Sequence, residues 1–387
     1  MRMRSWKARS KRALVAAALT TTVVAGTAGW TVGNEQRPLT GPPPGTHAWR
    51  ADHSLGVRLP DPATTSPTRI AAFFDRLSTA QRRELVARHA SVVGNLDGAP
   101  VALRYEANTR SLKAERAREQ ARSADPGLTA QDRERARALI VRYGELLAPG
   151  RQILAFDPRG RGQVAEVYGD LERARHVSVV VPGSDIDLTT FDRSKSAYGT
   201  PAGMGRSLYA AADGRTAVVA WVGYTTPVGL GPDAATGRLA EAGAPRLARF
   251  TQGLMATGAP RPAVFCHSYG SVVCGLAAPR LAATDLVVLG SPGMRADSVA
   301  DLHTDARVWA AKDDSDWIGK VPNVELFGLG HGEDPTSPGF GARRVPAEQA
   351  KGHTGYFTPG TDSLRAFARI AGGSDSAGAN RTTGART

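Results

Sequence analysis

The sequence predicts an α/β protein with a doubly wound, mostly parallel sheet. From about residue 149 onward, short apolar runs rich in valine alternate with stretches that carry apolar residues at helical spacing. The run HVSVVV at 176–181 is almost continuously apolar, as in a strand that is covered on both faces. Alternating strands and helices are the pattern of an open sheet with helices packed on it.

The first 30 residues are predicted to be a signal peptide or a membrane anchor. Six basic residues and no acidic residue lie within the first twelve positions, and the uncharged stretch ALVAAALTTTVVAGTAG follows. A basic start, a short apolar region and small residues are typical of export signals. Because a membrane span needs about 20 apolar residues, a cleaved signal peptide is favoured over an anchor. We therefore expect an extracytoplasmic protein, either secreted or associated with the membrane through this segment.

The rest of the chain divides by composition. Residues 31–67 are rich in Pro, Gly and Thr without a sustained apolar period, which predicts a linker. Residues 68–148 carry apolar residues at helical spacing and predict a helical region. We expect the α/β domain over 149–371 and a disordered tail over 372–387, where small and polar residues dominate.

Within the α/β domain, strands are predicted from apolar runs bounded by turn residues. These runs are RQILAFD, GQVAEVYG, HVSVVV, TAVVAWVGY, PAVFCHS, TDLVVLGSPG, ARVWAAKDD and NVELFGLG. Helices are expected near 203–212, 234–256, 270–279 and 362–371.

The charge of the chain does not indicate a nucleic-acid partner. The formal net charge of +13 falls to +7 when the six basic residues of the first twelve are set aside. The arginines of 104–142 are interspersed with Glu and Asp and lack interleaved aromatic residues, which is typical of a solvated helical face. We therefore expect no nucleic-acid binding.

The stretch VFCHSYGSVVCG at 264–275 carries the clearest chemical signal. Ser268 follows a short apolar strand and precedes a helix, in a pattern close to G-x-S-x-G in which Cys266 takes the place of the first glycine. A strand-to-helix turn this sharp, the nucleophile elbow, presents the serine oxygen at a helix N-terminus. Gly270 leaves room for the packed backbone. The alternative is a serine that caps a buried helix, and the extra side chain of Cys266 favours that alternative.

A serine nucleophile needs a histidine to take its proton and a carboxylate to orient that histidine. In chains with this elbow, the acid and then the histidine follow the serine. The strand ARVWAA is followed by KDDSDWIG, where Asp316 is favoured because an apolar pair follows it, and Asp313 is the alternative. His353, in a glycine-flanked loop before the last helix, is the favoured base, and His331 is the alternative.

Two backbone amides are expected to stabilise the oxyanion of an acyl-transfer reaction. One belongs to Tyr269, the residue after the nucleophile. The other belongs to Ser184 in VVVPGSDID, where a Pro-Gly pair turns the chain after an early strand. The alternative for this second segment is a plain turn.

Cys266 and Cys274 are the only cysteines. Outside the cytosol an oxidised pair is permitted, and eight residues across a sharp turn bring two Cα atoms within disulfide reach. The alternative is two small buried apolar side chains. Their spacing matches no common zinc pattern and the sequence contains no nucleotide-binding or zinc-protease motif, so we expect neither a metal nor a cofactor.

Several segments together resemble an actinobacterial α/β-hydrolase family catalogued as a domain of unknown function. They are GNLDGAPVALRYEAN, VVVPGSDID, AWVGYTTP, CHSYGS with VVC after it, LGSPG, HGEDPTSPGFG and GHTGYF, between about 77 and 370. The resemblance implies an α/β-hydrolase fold preceded by a helical segment. It also implies a triad of Ser268, an acid after ARVWAA and His353, but it does not favour Asp316 over Asp313 and implies no substrate.

From these patterns we expect an exported serine hydrolase that cleaves an ester bond, with an amide as second choice, through an acyl-enzyme. The expected substrate is a small-molecule or lipid-like ester. Two alternatives stay open: an acyltransferase with the same triad, and a catalytically inactive hydrolase-like binding or envelope protein. The oligomeric state is not predicted.

Overall fold

The computed structural model describes residues 35–374 apart from positions 322 and 327. The predicted signal or anchor segment at 1–30 lies outside the described residues, and so do residues 375–387 of the predicted tail. Within the described part of the chain, no helix combines the length and the apolar character that crossing a membrane requires.

A twisted sheet of eight strands forms the centre of the molecule. The described residues form ten strands, of which β8 and β9 pair separately from this sheet. In chain order they are β1 (Gln152–Asp157), β2 (Gln163–Tyr168), β3 (His176–Val181), β4 (Thr216–Val222), β5 (Ala263–His267), β6 (Asp285–Leu289), β7 (Arg307–Ala311), β8 (Glu325–Leu326), β9 (Leu329–Gly330) and β10 (Arg343–Arg344). The spatial order in the main sheet is β1-β2-β4-β3-β5-β6-β7-β10. Strand β2 is antiparallel to both of its neighbours, and all other pairs are parallel.

Helices precede the sheet and alternate with its strands. They are α1 (Thr46–Arg50), α2 (Pro67–Asp75), α3 (Thr79–Arg88), α4 (Ala90–Gly94), α5 (Val101–Ala124), α6 (Ala130–Leu146), α7 (Pro201–Ala211), α8 (Pro232–Ala235), α9 (Arg238–Ala256), α10 (Gly270–Ala277) and α11 (Asp362–Ala371).

Both faces of the sheet are buried. Side chains of successive strand residues point to opposite faces, so Val179 packs in the cluster that includes α9 and α10, and Val180 packs in the cluster that includes α7 and α11. Strands β4, β5 and β6 are buried along their whole length. The predicted doubly wound, mostly parallel sheet is therefore confirmed.

The helical region before the sheet has a core of its own, and it braces an edge of the sheet. Trp49 of α1 is fully buried in this core, and its indole N–H donates to the Pro60 oxygen at 2.7 Å. Part of the range 31–67, which was predicted as a linker, is therefore packed. The sequence did not predict this packing, because a single buried tryptophan gives no periodic apolar pattern. From α5, Arg104 and Asn108 donate to backbone oxygens of β1 at 3.1 Å.

Two details of the last third of the domain differ from the predicted strands. The run NVELFGLG was expected to be one strand. It instead contains two strands of two residues each, β8 and β9, which pair antiparallel outside the main sheet. Gly328 and Gly330 adopt φ values of +80° and +85°, which interrupt an extended strand. Strand β10 was not predicted, because two charged, exposed arginines give no apolar signal.

Candidate active site

Ser268 lies at the sharp turn between β5 and α10, at the carboxyl end of a central strand. Its φ of +54° is in the left-handed region, which non-glycine residues rarely adopt. Its amide donates to the Leu289 oxygen of β6 at 3.0 Å and fixes the turn. A Cβ atom at Gly270 would come within 2.7 Å of the backbone oxygens of Val181 and Pro182, so this position requires glycine.

A disulfide joins Cys266 of β5 to Cys274 of α10, with their Cα atoms 6.5 Å apart. Both side chains are fully buried in the core between the sheet and the helices. The disulfide therefore ties the strand before Ser268 to the helix after it. The side chain that replaces the first glycine of the elbow pattern serves as a cross-link in the core.

His353 lies between Ser268 and Asp316. Its Nε2 atom is 2.9 Å from the Ser268 Oγ, and its Nδ1 atom is 2.9 and 3.0 Å from the two carboxylate oxygens of Asp316. The loop before α11 carries His353, and the segment after β7 carries Asp316. The structure thus brings together the three side chains that the sequence analysis favoured.

The Asp316 carboxylate is held by several donors besides His353. The Tyr356 hydroxyl donates to Oδ2 at 2.6 Å, and the Ile318 amide donates to Oδ1 at 2.9 Å. Burial alone would raise the pKa of Asp316, but the hydrogen bonds from His353, Tyr356 and the Ile318 amide outweigh burial and hold this pKa below its usual value. An ionised Asp316 accepts the Nδ1 proton of His353, which leaves the Nε2 lone pair for the serine proton.

The two alternative residues lie elsewhere. Asp313 accepts hydrogen bonds from the Ser315 and Gly352 amides at 3.0 Å, so it shapes the loop that carries His353. His331 is buried and donates from Nε2 to the Ala234 oxygen at 2.7 Å. Burial lowers the pKa of His331 to about 4. Within the described residues, neither side chain has a hydrogen bond to the Ser268–His353 pair.

His267, the residue before the nucleophile, contacts His353, which was not predicted from the sequence. Its Nε2 atom lies 2.7 Å from the His353 backbone oxygen, and the centroids of the two imidazole rings are 4.7 Å apart. Burial lowers the pKa of His267 to about 3, so the ring is neutral and its Nε2–H donates to that oxygen. The Trp317 ring also lies against His353, at 4.6 Å between centroids.

The turn after β3 passes directly beside the nucleophile. A Cβ atom at Gly183 would lie 2.6 Å from the Ser268 Cβ and 3.0 Å from its Oγ. In the part of the chain that the structure describes, neither the Ser184 amide nor the Tyr269 amide donates a hydrogen bond. These are the two amides expected for the oxyanion, and both belong to segments that meet at Ser268.

Gly290, directly after β6, is a second position that the sequence analysis did not connect to the site. A Cβ atom there would lie 2.9 Å from Asp316 Oδ2 and 3.2 Å from the His353 ring, and the residue has a φ of +52°. The Asp316 carboxylate and the His353 imidazole therefore pack directly against the backbone of Gly290.

A cavity of about 350 Å³ lies away from this site. It is lined by residues of the helical region, β2, β4 and α9, including Arg104, Trp221 and Arg246. None of Ser268, His353 and Asp316 lines it. This cavity is therefore not the place where a substrate would meet Ser268.

Comparison with known proteins supports an α/β-hydrolase fold. A family model described as an alpha/beta hydrolase matches residues 157–326, a range that includes Ser268 and Asp316. Two uncharacterized proteins from two strains of Mycobacterium tuberculosis are each 30% identical to this chain. The matches cover 82% of this chain and 57% of each relative, so the chain spans little more than half the length of the curated relatives it matches.

Solved structures resemble the chain more distantly. A dienelactone hydrolase from Anabaena variabilis is 16% identical and covers 55% of this chain and 90% of its own, with a TM-score of 0.34. A protein from Xanthomonas campestris, described as an α/β serine hydrolase without a lid, is 16% identical and covers 58% of this chain and 94% of its own, with a TM-score of 0.33. Similarity this low carries no information about the substrate.

Proposed function

We propose that this protein is a serine hydrolase of the α/β-hydrolase family that cleaves carboxylic esters through an acyl-enzyme. The observation that carries the proposal is the hydrogen-bonded line from Ser268 Oγ through the His353 ring to Asp316, with 2.9 Å at each step. A serine hydroxyl is a weak nucleophile, and a neutral imidazole at hydrogen-bond distance removes its proton as it attacks.

Acylation begins with the attack of Ser268 on the ester. The Ser268 oxygen bonds to the ester carbonyl carbon while its proton moves to His353 Nε2, and the carbonyl oxygen takes the negative charge. The Tyr269 and Ser184 amides donate to this oxyanion, and Asp316 stabilises the imidazolium. The carbon–oxygen bond to the leaving alcohol then breaks, and His353 gives its proton to that alcohol.

Deacylation repeats these steps with water as the nucleophile. His353 removes a proton from water as the water oxygen bonds to the acyl carbon. The bond to the Ser268 oxygen then breaks, and His353 returns the proton to that oxygen. The products are a carboxylic acid and the free enzyme. A bound alcohol in place of water would give acyl transfer.

The disulfide supports an active enzyme over an inactive hydrolase-like protein. The departure from the elbow pattern at Cys266 favours an inactive protein, because it adds a side chain where the strand and the helix approach closely. That side chain is bonded to Cys274 in the core, and the atoms nearest to a Cβ at Gly270 belong to Val181 and Pro182 rather than to Cys266.

The same disulfide supports an extracytoplasmic location, because disulfides persist mainly in oxidising compartments. The basic and apolar pattern of residues 1–30 supports this location independently. Mass spectrometry of the protein recovered from culture medium and from membranes tests the proposal through its mature N-terminus. Recovery only in the cytoplasm, with an intact N-terminus and free thiols, contradicts it.

Hydrolysis of p-nitrophenyl acetate tests the proposed activity. The Ser268→Ala variant is expected to lose about a thousandfold or more in kcat, because the covalent step is removed. Ser298→Ala, a serine away from the site, serves as the matched control and keeps wild-type activity. Full activity in Ser268→Ala contradicts the proposal.

A further inference from the structure

Exposed apolar side chains are concentrated in two short segments. Among the described residues ten large apolar side chains are exposed, and half of them lie within 228–230 and 317–329. These five, which we call the apolar rim, are Val228, Leu230, Trp317, Val324 and Leu329. Grouped apolar side chains on a protein surface mark binding sites.

One part of the apolar rim is attached to the turn that passes Ser268. The Gly229 amide donates to the Asp185 carboxylate at 2.7 Å, and the Asp185 amide donates to the Pro227 oxygen at 2.8 Å. Asp185 directly follows Ser184, whose amide faces the oxyanion in the proposed mechanism. Val228 and Leu230 therefore lie on the oxyanion side of the nucleophile.

The other part lies on the histidine side. Trp317 directly follows Asp316, and its ring is 4.6 Å from the His353 ring, with 37% of the residue exposed. Leu329 forms an antiparallel β-bridge with Thr236, which directly follows α8, so the segment of Leu329 is joined to the chain that continues from Leu230. Apolar side chains thus lie on both sides of the nucleophile, in segments linked to each other.

Two carboxylates beside the apolar rim are already paired, whereas Lys320, between Trp317 and Val324 in the chain, is exposed. Arg295 binds the Glu325 carboxylate at 2.8 Å and the Gly328 oxygen at 2.9 Å, and the Asp185 carboxylate accepts from the Gly229 amide. The Glu325 and Asp185 carboxylates are therefore occupied by protein donors and do not compete for a ligand on the apolar rim. Five side chains are too few for a stable protein interface, which takes about 20 to 30 residues on each side, but they suit a single hydrocarbon chain.

We propose that the apolar rim binds the acyl chain of the ester substrate, so that the enzyme prefers medium-length acyl chains over acetyl groups. This inference rests on the proposed function. Each methylene that leaves water on binding raises kcat/KM by up to about fourfold.

The test measures kcat/KM for p-nitrophenyl acetate and p-nitrophenyl octanoate, the latter below its critical micelle concentration. Wild-type protein is expected to favour the octanoate at least tenfold. Leu230→Ser and Leu329→Ser should each lower the octanoate value at least threefold and leave the acetate value unchanged. Val57→Ser removes an exposed valine between α1 and α2 and is the matched control, with both values unchanged.

Two results overturn the inference while the proposed function stands: equal kcat/KM for the two esters in wild-type protein, or equal losses on both esters in the leucine variants. Val228→Ser provides a second measurement on the oxyanion side if Leu230→Ser does not fold. Turnover of neither ester, with no difference between wild type and Ser268→Ala, overturns the proposed function itself and the inference with it.

Discussion

The Nε2 atom of His267 lies 2.7 Å from the backbone oxygen of His353. Because burial lowers the pKa of His267 to about 3, its ring is neutral and donates this hydrogen bond at physiological pH. The residue next to the nucleophile therefore holds the loop that carries the proposed base. The positions of Ser268 and His353 are coupled through this contact.

We expect His267→Phe to lower kcat by about 10- to 100-fold with little change in KM, because it keeps an aromatic ring against His353 and removes the donor. A displacement of about 1 Å in a catalytic group costs this much. His267→Gln keeps a donor and should recover part of kcat. Steady-state kinetics on p-nitrophenyl acetate measure both variants. A wild-type kcat in His267→Phe shows that the contact does not position His353.

The two aspartates after β7 are expected to differ sharply in their effect on catalysis. Asp316→Asn removes the charge that fixes the His353 tautomer and should lower kcat by about 10³- to 10⁴-fold. Asp313→Asn weakens the hydrogen bonds to the Gly352 and Ser315 amides, and should lower kcat by less than about tenfold. Burst kinetics with p-nitrophenyl acetate measure both. The reverse ranking would make Asp313 the acid.

The lowered pKa values of two buried histidines, His267 and His331, predict a fall in stability below neutral pH. The pKa values of His267 and His331 in the folded chain are about 3 and 4, against about 6.5 when unfolded. Their contribution is fully present above pH 6.5 and is lost as the pH falls toward 4 and 3, because only the unfolded chain binds these protons. Each histidine lowers the unfolding free energy by at most about 1.4 kcal/mol per pH unit.

Urea unfolding at pH 7 and pH 5 measures this loss. His331→Gln should lose less stability than wild type between these two pH values, since one of the two histidines is gone. His53→Gln removes an exposed histidine and is the control, with the wild-type loss. Identical losses in wild type and His331→Gln contradict the assignment of a depressed pKa to His331.

Removing the disulfide is expected to destabilise the fold around the elbow. The double variant Cys266→Ala, Cys274→Ala should lose about 2 to 3 kcal/mol of unfolding free energy, the amount expected when a closed loop of this length is opened in the unfolded chain. Because both sulfurs are fully buried, dithiothreitol should not reduce the folded protein. Unchanged urea midpoints in the double variant mean that the cross-link adds no stability.

The sequence predicts the strands of the sheet well where they are valine-rich and bounded by turns. The run PAVFCHS contains β5 at Ala263–His267, and TAVVAWVGY contains β4 at Thr216–Val222. The prediction failed for NVELFGLG, because glycines at positive φ divide a run that is apolar in composition. It failed for β10 because a two-residue strand is defined by its pairing with β7, which the local sequence does not encode.

The site is predictable to the extent that chain order constrains it. Ser268 and His353 follow from the elbow and from the last loop, and the choice between Asp313 and Asp316 rested on the apolar pair after Asp316. The contributions of His267 and Gly290 depend on how segments distant in sequence pack together, so neither has a local signal. The sequence LGSPG is typical of an ordinary turn, and only the structure shows that its Gly290 lies against the His353 imidazole.

Labelling with a fluorophosphonate, followed by peptide mass spectrometry, tests the central claim most directly. Ser268 is expected to be the labelled residue in wild-type protein, and labelling should slow strongly in His353→Gln, because this variant lacks the base. Thermal melting verifies that the variant is folded. Absence of a Ser268 adduct across the pH range 6 to 9, or equal labelling rates with and without His353, would contradict the account.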